Sequence, residues 1–178
     1  MLVVYLWRFL HLLFAFSFVG ALTIAEWNAR AARATADWNR RAALWGVVRV
    51  TTQVLGLGAL LLLGILGNLL ALSMGLPMGG HWMLAVNGLW LAGILLYLLA
   101  ALPTARRLVS ACEGAARAQA DSPAPEPAAG AAGPGRVTEP ASAAEYAAAL
   151  ARWRIANLLL SIFFGLMLVL MVLRPAFW

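Results

Sequence analysis

The sequence predicts an all-α membrane protein, an antiparallel four-transmembrane-helix bundle with both termini outside. Three observations predict it. First, the 178 residues are 63% hydrophobic and only 11% charged, against about 25% charged residues in ordinary soluble domains. Second, four apolar runs, at about 6–25, 46–72, 82–102 and 155–173, reach the roughly 18 residues that mark a bilayer-spanning helix. Third, the arginines are unevenly shared between the connections, and that bias sets orientation.

Helix one, Leu6–Ala25, carries Arg8 and His11 near its start. Thr23-Ile24-Ala25 resembles a weak signal-peptidase site, but no charged side chain precedes Arg8 and the apolar stretch is long for a signal sequence, so an uncleaved helix is expected. The first connection, residues 26–45, holds Arg30, Arg33, Arg40 and Arg41, with Arg49 just beyond. In it "WNAR" at 27–30 recurs as "WNRR" at 38–41. Eleven residues is close to three helical turns, which predicts a cytoplasmic amphipathic helix with Trp27 and Trp38 on one face, touching anionic lipid or docking a partner.

Helix two spans 46–72. The second connection, residues 73–81, has no arginine and opens the stretch "SMGLPMGGHWM", in which Met74, Met78, His81 and Met83 fall close together. Helix three spans 82–102 and is loosened at its end by Pro103, after which residues 104–118 read as helical. Residues 119–141, "QADSPAPEPAAGAAGPGRVTEPA", are too poor in bulky apolar groups to offset chain entropy and read as a flexible cytoplasmic linker. Ser142 and Glu145 form a capping box that starts the run into helix four.

The third connection adds Arg106, Arg107, Arg117, Arg136, Arg152 and Arg154. Arginine-rich connections one and three are therefore assigned to the cytoplasm, and the Met/His turn and both chain ends to the outside. Trp27, Trp38, Trp45 and Trp153 mark the inner interface, and Trp7, Trp82 and Trp178 the outer one. Every one of the thirteen basic residues is arginine, a habit of high-GC bacterial genes. Their place beside membrane segments accounts for the pI of about 11.0 without nucleic acid. Cys112 stands alone, with neither a disulfide partner nor a paired metal motif.

Polar side chains inside a bilayer usually face the bundle interior. On helix three, His81, Ala85, Gly88 and Ala92 share a face of small residues; on helix two, Gln53, Gly64, Asn68, Ala71 and Gly75 do; on helix four, Asn157 and Ser161 are stacked. Depth sorts the polar groups into two layers. His11, Asn68, His81 and Asn87 lie in the outer half, and Gln53, Asn157 and Ser161 in the inner half.

Three readings of the outer layer stay open. His11 and His81 are ordinary hydrogen-bonded side chains; or they ligate a haem b iron from two helices; or His81 joins Met74 and Met78 in a soft site for copper as Cu(I). No acidic pair, nucleophile–base arrangement, phosphate-binding glycine loop or H-E-x-x-H motif is present, so no catalytic residues are assigned.

"FLHLLFAFSFVGA", "ARAARATAD", "LYLLAALPTARRL" and the closing "LMLVLMVLRP" resemble the uncharacterised four-helix bacterial integral membrane protein family, a domain of unknown function grouped with the copper-resistance D proteins. Arg174 stands where that ending usually has lysine. The resemblance covers the membrane part and not the 119–141 linker. It implies a relation to copper passage across the inner membrane. A more distant similar group oxidises porphyrin with a first-helix histidine, which His11 matches, and a later lysine, which this chain lacks.

The expectation is thus a small polytopic inner-membrane protein, a non-enzymatic accessory or assembly component. The alternatives are a haem b- or copper-binding or copper-transporting membrane protein using His11 and His81 and, third, a porphyrin-oxidising membrane enzyme. Its partners are the lipid bilayer and a membrane protein or a second copy of itself.

Overall fold

The computed structural model describes residues 2–121 and 141–172, and their regular structure is entirely helical. Six α-helices follow one another: α1 (Leu2–Ala34), α2 (Trp38–Val50), α3 (Leu57–Ser73), α4 (His81–Leu96), α5 (Leu102–Asp121) and α6 (Ala141–Val172). Two π-helical turns, Thr51–Gly56 and Tyr97–Ala101, join α2 to α3 and α4 to α5 without a break. The result is four rods, each with a segment long and apolar enough to cross a membrane: Leu2–Ala34, Trp38–Ser73, His81–Asp121 and Ala143–Met171. Large apolar side chains such as Phe9, Phe16, Leu84, Leu91 and Ile162 face outward, as befits a multi-pass protein whose solvent is lipid. The predicted linker lies outside the described residues, apart from 119–121 in α5 and the first residue of α6.

The first two rods are longer than the sequence predicted, running to Ala34 and starting at Trp38, while the helix expected at 104–118 and the start expected near residue 142 extend the third and fourth. The third contains 41 residues, about 60 Å at helical rise, twice a hydrocarbon core. The helices continue past the arginines because their alanines pack. On α1 the buried residues Phe18, Ala21, Ala25, Ala29 and Ala32 recur at three- and four-residue spacing. On α5 Ala105, Leu108, Ala111, Cys112 and Ala115 do the same. Small side chains let backbones approach closely, and here they build a packed core at the arginine-rich end. Trp45 and Val48 of α2 and Tyr146, Ala149 and Trp153 of α6 complete it.

This core revises the aromatic border. Trp45 and Trp153 are buried edge to face with ring centroids 5.7 Å apart, and Trp38 stands edge-on to Tyr146. Of the four indoles assigned to the inner interface, only Trp27 is exposed. Nor do Trp27 and Trp38 share a helix. Asp37 caps α2, its carboxylate accepting from the Asn39 amide at 2.9 Å, and the chain turns at 35–37. Asparagine and aspartate at such caps stop one helix and start the next. Arg41 closes the corner: its guanidinium donates to the carbonyls of Ala32 and Thr35 and lies 4.2 Å from the centre of the Trp38 ring.

The Met/His stretch is a helix end, a turn and a helix start. α3 stops in a Schellman arrangement in which the Leu76 amide donates to Ala71 O and the Gly75 amide to Leu72 O, with Gly75 at φ +69°. α4 then begins at His81.

Three predicted faces are corrected. The His81, Ala85, Gly88 stripe of α4 is exposed, and α4 buries Met83, Val86 and Gly93 instead. Gln53 is exposed, while its neighbours Thr51 and Thr52 are buried. Ser161 is exposed and its hydroxyl donates to Asn157 O on its own helix, so it makes no bond between helices. Periodicity finds a stripe, but lipid and core are both apolar, and it does not say which of them the stripe faces.

Candidate functional site

The end of the molecule away from the arginine-rich core holds a cavity of about 200 Å³ between α1, α3, α4 and α6. His11 enters it from α1. The imidazole is buried, and its Nδ1 lies 3.0 Å from the carbonyl oxygen of Leu63. A carbonyl only accepts, so Nδ1 carries the proton and Nε2 keeps its lone pair. Gly67 makes the approach possible: a Cβ there would sit 3.0 Å from His11 Cε1 and 3.3 Å from Nδ1. The histidine is thus fixed by α3 in one tautomer, with one ring nitrogen still able to accept a bond.

Asn68 and Asn87 form the polar floor between α3 and α4. Asn68 Nδ2 donates to Asn87 Oδ1 at 2.9 Å, and Asn87 Nδ2 returns a bond to Asn68 Oδ1 at 3.1 Å. Asn68 Nδ2 also reaches Gly64 O at 2.8 Å. Below them Trp90 lies flat on Gly64, where a Cβ would come within 2.0 Å of the ring, and its Nε1 donates to Leu60 O at 2.8 Å. Trp82 closes the α6 side, donating to Leu170 O at 2.9 Å. These bonds satisfy the indole and amide donors within the apolar region, where no water would do so.

Thioethers make up much of the remaining wall. Met74, Met83, Met167 and Met171 all line the cavity, and Met83 and Met167 are buried. The lining contains no carboxylate, no thiol and no arginine. Of the predicted set, the structure places His11, Asn68, Asn87 and Met74 in one cavity. Met78 and His81 do not line it; His81 is exposed in the first turn of α4. The proposed pairing of His81 with Met74 and Met78, and that of His11 with His81, therefore do not form around this cavity. Met167 and Met171 were missed, although their four-residue spacing places them on one helix face.

Asn157 belongs to a separate cluster at the other end. Its Nδ2 lies 3.2 Å from Glu26 Oε2, while Glu26 Oε1 accepts from Arg30 Nε at 2.8 Å and Arg33 at 3.2 Å. This carboxylate ties α1 to α6 and is fully engaged. Two buried polar atoms, Thr52 Oγ1 and Trp153 Nε1, lack partners among the described residues.

Comparison with family models, curated proteins and solved structures returned no match. The cavity's own chemistry therefore carries the functional reading.

Proposed function

We propose that this chain is a bacterial inner-membrane accessory protein, non-enzymatic, that holds one Cu(I) ion in the methionine-lined cavity. The observation that carries this reading is the joining of His11, locked through Nδ1 on Leu63 O, with four thioethers in one lining. Thioether and imidazole are the donors that suit Cu(I), whereas the hard divalent ions want oxygens. A backbone carbonyl on the far ring nitrogen is the common way to orient a metal-binding histidine. His11 Nε2 and the sulfurs of Met83, Met167 and Met171 are the groups that would hold the ion. Bound there, it supplies a soft monovalent cation for handing to a partner. The likeness of four sequence motifs to an uncharacterised membrane family grouped with the copper-resistance D proteins points the same way.

Two further features of the proposal rest on the arginine bias. The arginine-rich core lies in the cytoplasm, and the 74–80 turn with both termini lies outside, in an antiparallel bundle. The haem alternative has less support. A cavity of about 200 Å³ is below the roughly 300–1,000 Å³ of pockets for larger organic ligands, and His81 is not in its lining.

The test is a Cu(I) titration of detergent-purified protein against a chromophoric Cu(I) chelator under reducing conditions. One equivalent should bind, and X-ray absorption should show sulfur with one nitrogen. His11→Ala and Met167→Leu should each weaken binding about tenfold or more, a loss of ~1.4 kcal/mol. Protein that takes no stoichiometric Cu(I), or variants that bind as the parent does, would remove the proposal.

A further inference from the structure

A second feature stands apart from the cavity. A groove of about 290 Å³ runs between the α4–α5 rod and α6, where the chain leaves its apolar span. Leu99, Pro103 and Arg107 form one wall at four-residue spacing; Arg152, Ile155 and Leu159 form the other. The groove changes character along its length. Leu99 and Leu159 mark one end, 75% and 37% exposed, and Ile155, 60% exposed, lies between them and the arginines. At the other, Arg107 and Arg152 are exposed, and neither has an ion-pair partner among the described residues. No carboxylate lines it.

The groove between α1 and α6 makes a control within the same molecule. It has a similar volume, about 330 Å³, but Glu26 sits in it and takes Arg30 and Arg33. There the charge is compensated by the protein; between α5 and α6 it is not. The backbone accounts for the shape. Pro103 has no N–H to give to Leu99 O, and the wide π turn Tyr97–Ala101 ends two residues before it. Tyr97, Ala101, Thr104 and Leu108 turn into the core, which leaves Leu99 and Arg107 on the outer side.

Dimensions match a lipid at its headgroup border. Leu99 to Arg107 is eight residues, about 12 Å, and Arg152 to Leu159 is seven, about 10 Å. We propose that this groove binds one anionic phospholipid, its phosphate held between Arg107 and Arg152 and the upper part of an acyl chain along Leu99, Ile155 and Leu159. Basic pockets between spanning helices are where anionic headgroups dock, and guanidinium pairs with phosphate oxygens through parallel charge-assisted bonds. The proposal does not depend on the copper reading.

Native mass spectrometry of the full chain released from detergent tests it. Phosphatidylglycerol should bind one per protein and outcompete phosphatidylcholine several-fold. Arg107→Gln with Arg152→Gln should abolish that preference and lower apparent affinity about tenfold. Arg106→Gln with Arg154→Gln removes the same charge from the same helices outside the groove and should leave binding within about twofold. All four positions are on the surface, so the variants keep the fold, which their melting temperatures verify. Leu99→Trp, which fills the apolar end without changing charge, should also weaken phosphatidylglycerol binding. Equal loss in the two double variants would mean diffuse attraction and overturn the site. So would equal binding of the two lipids. Full displacement by an equal concentration of glycerol phosphate would assign the arginines to a soluble phosphate and overturn the lipid.

Discussion

At the scale of single residues, the protein resolves the problem of polarity in lipid by pairing. Asn68 and Asn87 exchange two amide bonds across α3 and α4; removing Asn68 strands both polar atoms of Asn87, and removing Asn87 strands the Asn68 oxygen while its Nδ2 keeps Gly64 O. Hydrogen bonds between membrane helices are worth ~0.6 kcal/mol on average and up to ~1.7 kcal/mol. Asn68→Leu and Asn87→Leu should each destabilise, and the double variant should cost less than their sum by about 1 kcal/mol. Refolding titrations of the four members of that cycle measure this coupling; strictly additive values would show that the pair is not coupled. Gly64→Ala drives a methyl group into the Trp90 ring. Overpacking of this kind costs ~1–3 kcal/mol, and the same titration should show a loss of that size together with a shifted tryptophan emission. His11 and the asparagines were legible as polar groups of one layer, because an imidazole or amide in an apolar run has few places to go. The methionines were legible only in part. Met74 stood in a conspicuous stretch, whereas Met167 and Met171 looked like ordinary filler in a helix of leucine and valine.

At the scale of elements, the corner between α1 and α2 rests on one side chain. Arg41 joins the carbonyls of Ala32 and Thr35 and stacks on Trp38, with the Tyr146 ring 5.2 Å away. Charge-assisted bonds of this sort contribute ~1.5–3 kcal/mol, and a lysine has no planar fork to reach both carbonyls. Arg41→Ala should lower the melting temperature by several degrees, and Arg41→Lys should recover less than half of the loss; full recovery by lysine would show that charge alone suffices. The corner also explains what the sequence hid. Four apolar lengths announced four spans, and they are there. The helical continuations at 104–118 and from residue 142 were legible in the sequence; the unbroken run of the first helix to Ala34 was not, because arginine in a run signals the end of an apolar segment and not the end of a helix. Asp37 was the readable sign that α1 and α2 are separate, and the spacing of the two tryptophans obscured it.

At the scale of the whole molecule, two unlike ends share one set of rods. One end has the cavity with its soft donors; the other has a core of alanine and aromatic rings surrounded by arginine. Cys112 lies inside that second core, on the part of α5 beyond the apolar span. Burial pushes its thiol up to about 11, against the opposing pull of the nearby Arg41 charge. A thiol that stays protonated and covered is a poor nucleophile. The native protein should therefore resist maleimide at pH 7 and react once denatured; prompt labelling of folded protein would show this core to be open. That silence makes orientation measurable. A cysteine introduced at Gly79, in the turn before α4, should label from outside intact cells, and labelling only in broken cells would invert the proposed topology. Fold class was legible at this scale because composition and length suffice for it. Which face of each rod meets lipid was not, since the exposed Ala85 and Gly88 have the composition of a packing seam.

The edge-to-face indoles of Trp45 and Trp153 have a use independent of what the protein binds. Two such chromophores in van der Waals proximity couple their electronic transitions and give a paired band in near-ultraviolet circular dichroism. Binding or unfolding at the arginine-rich end that separates α2 from α6 would collapse that band, so the molecule carries a label-free optical gauge of the packing at its arginine-rich end.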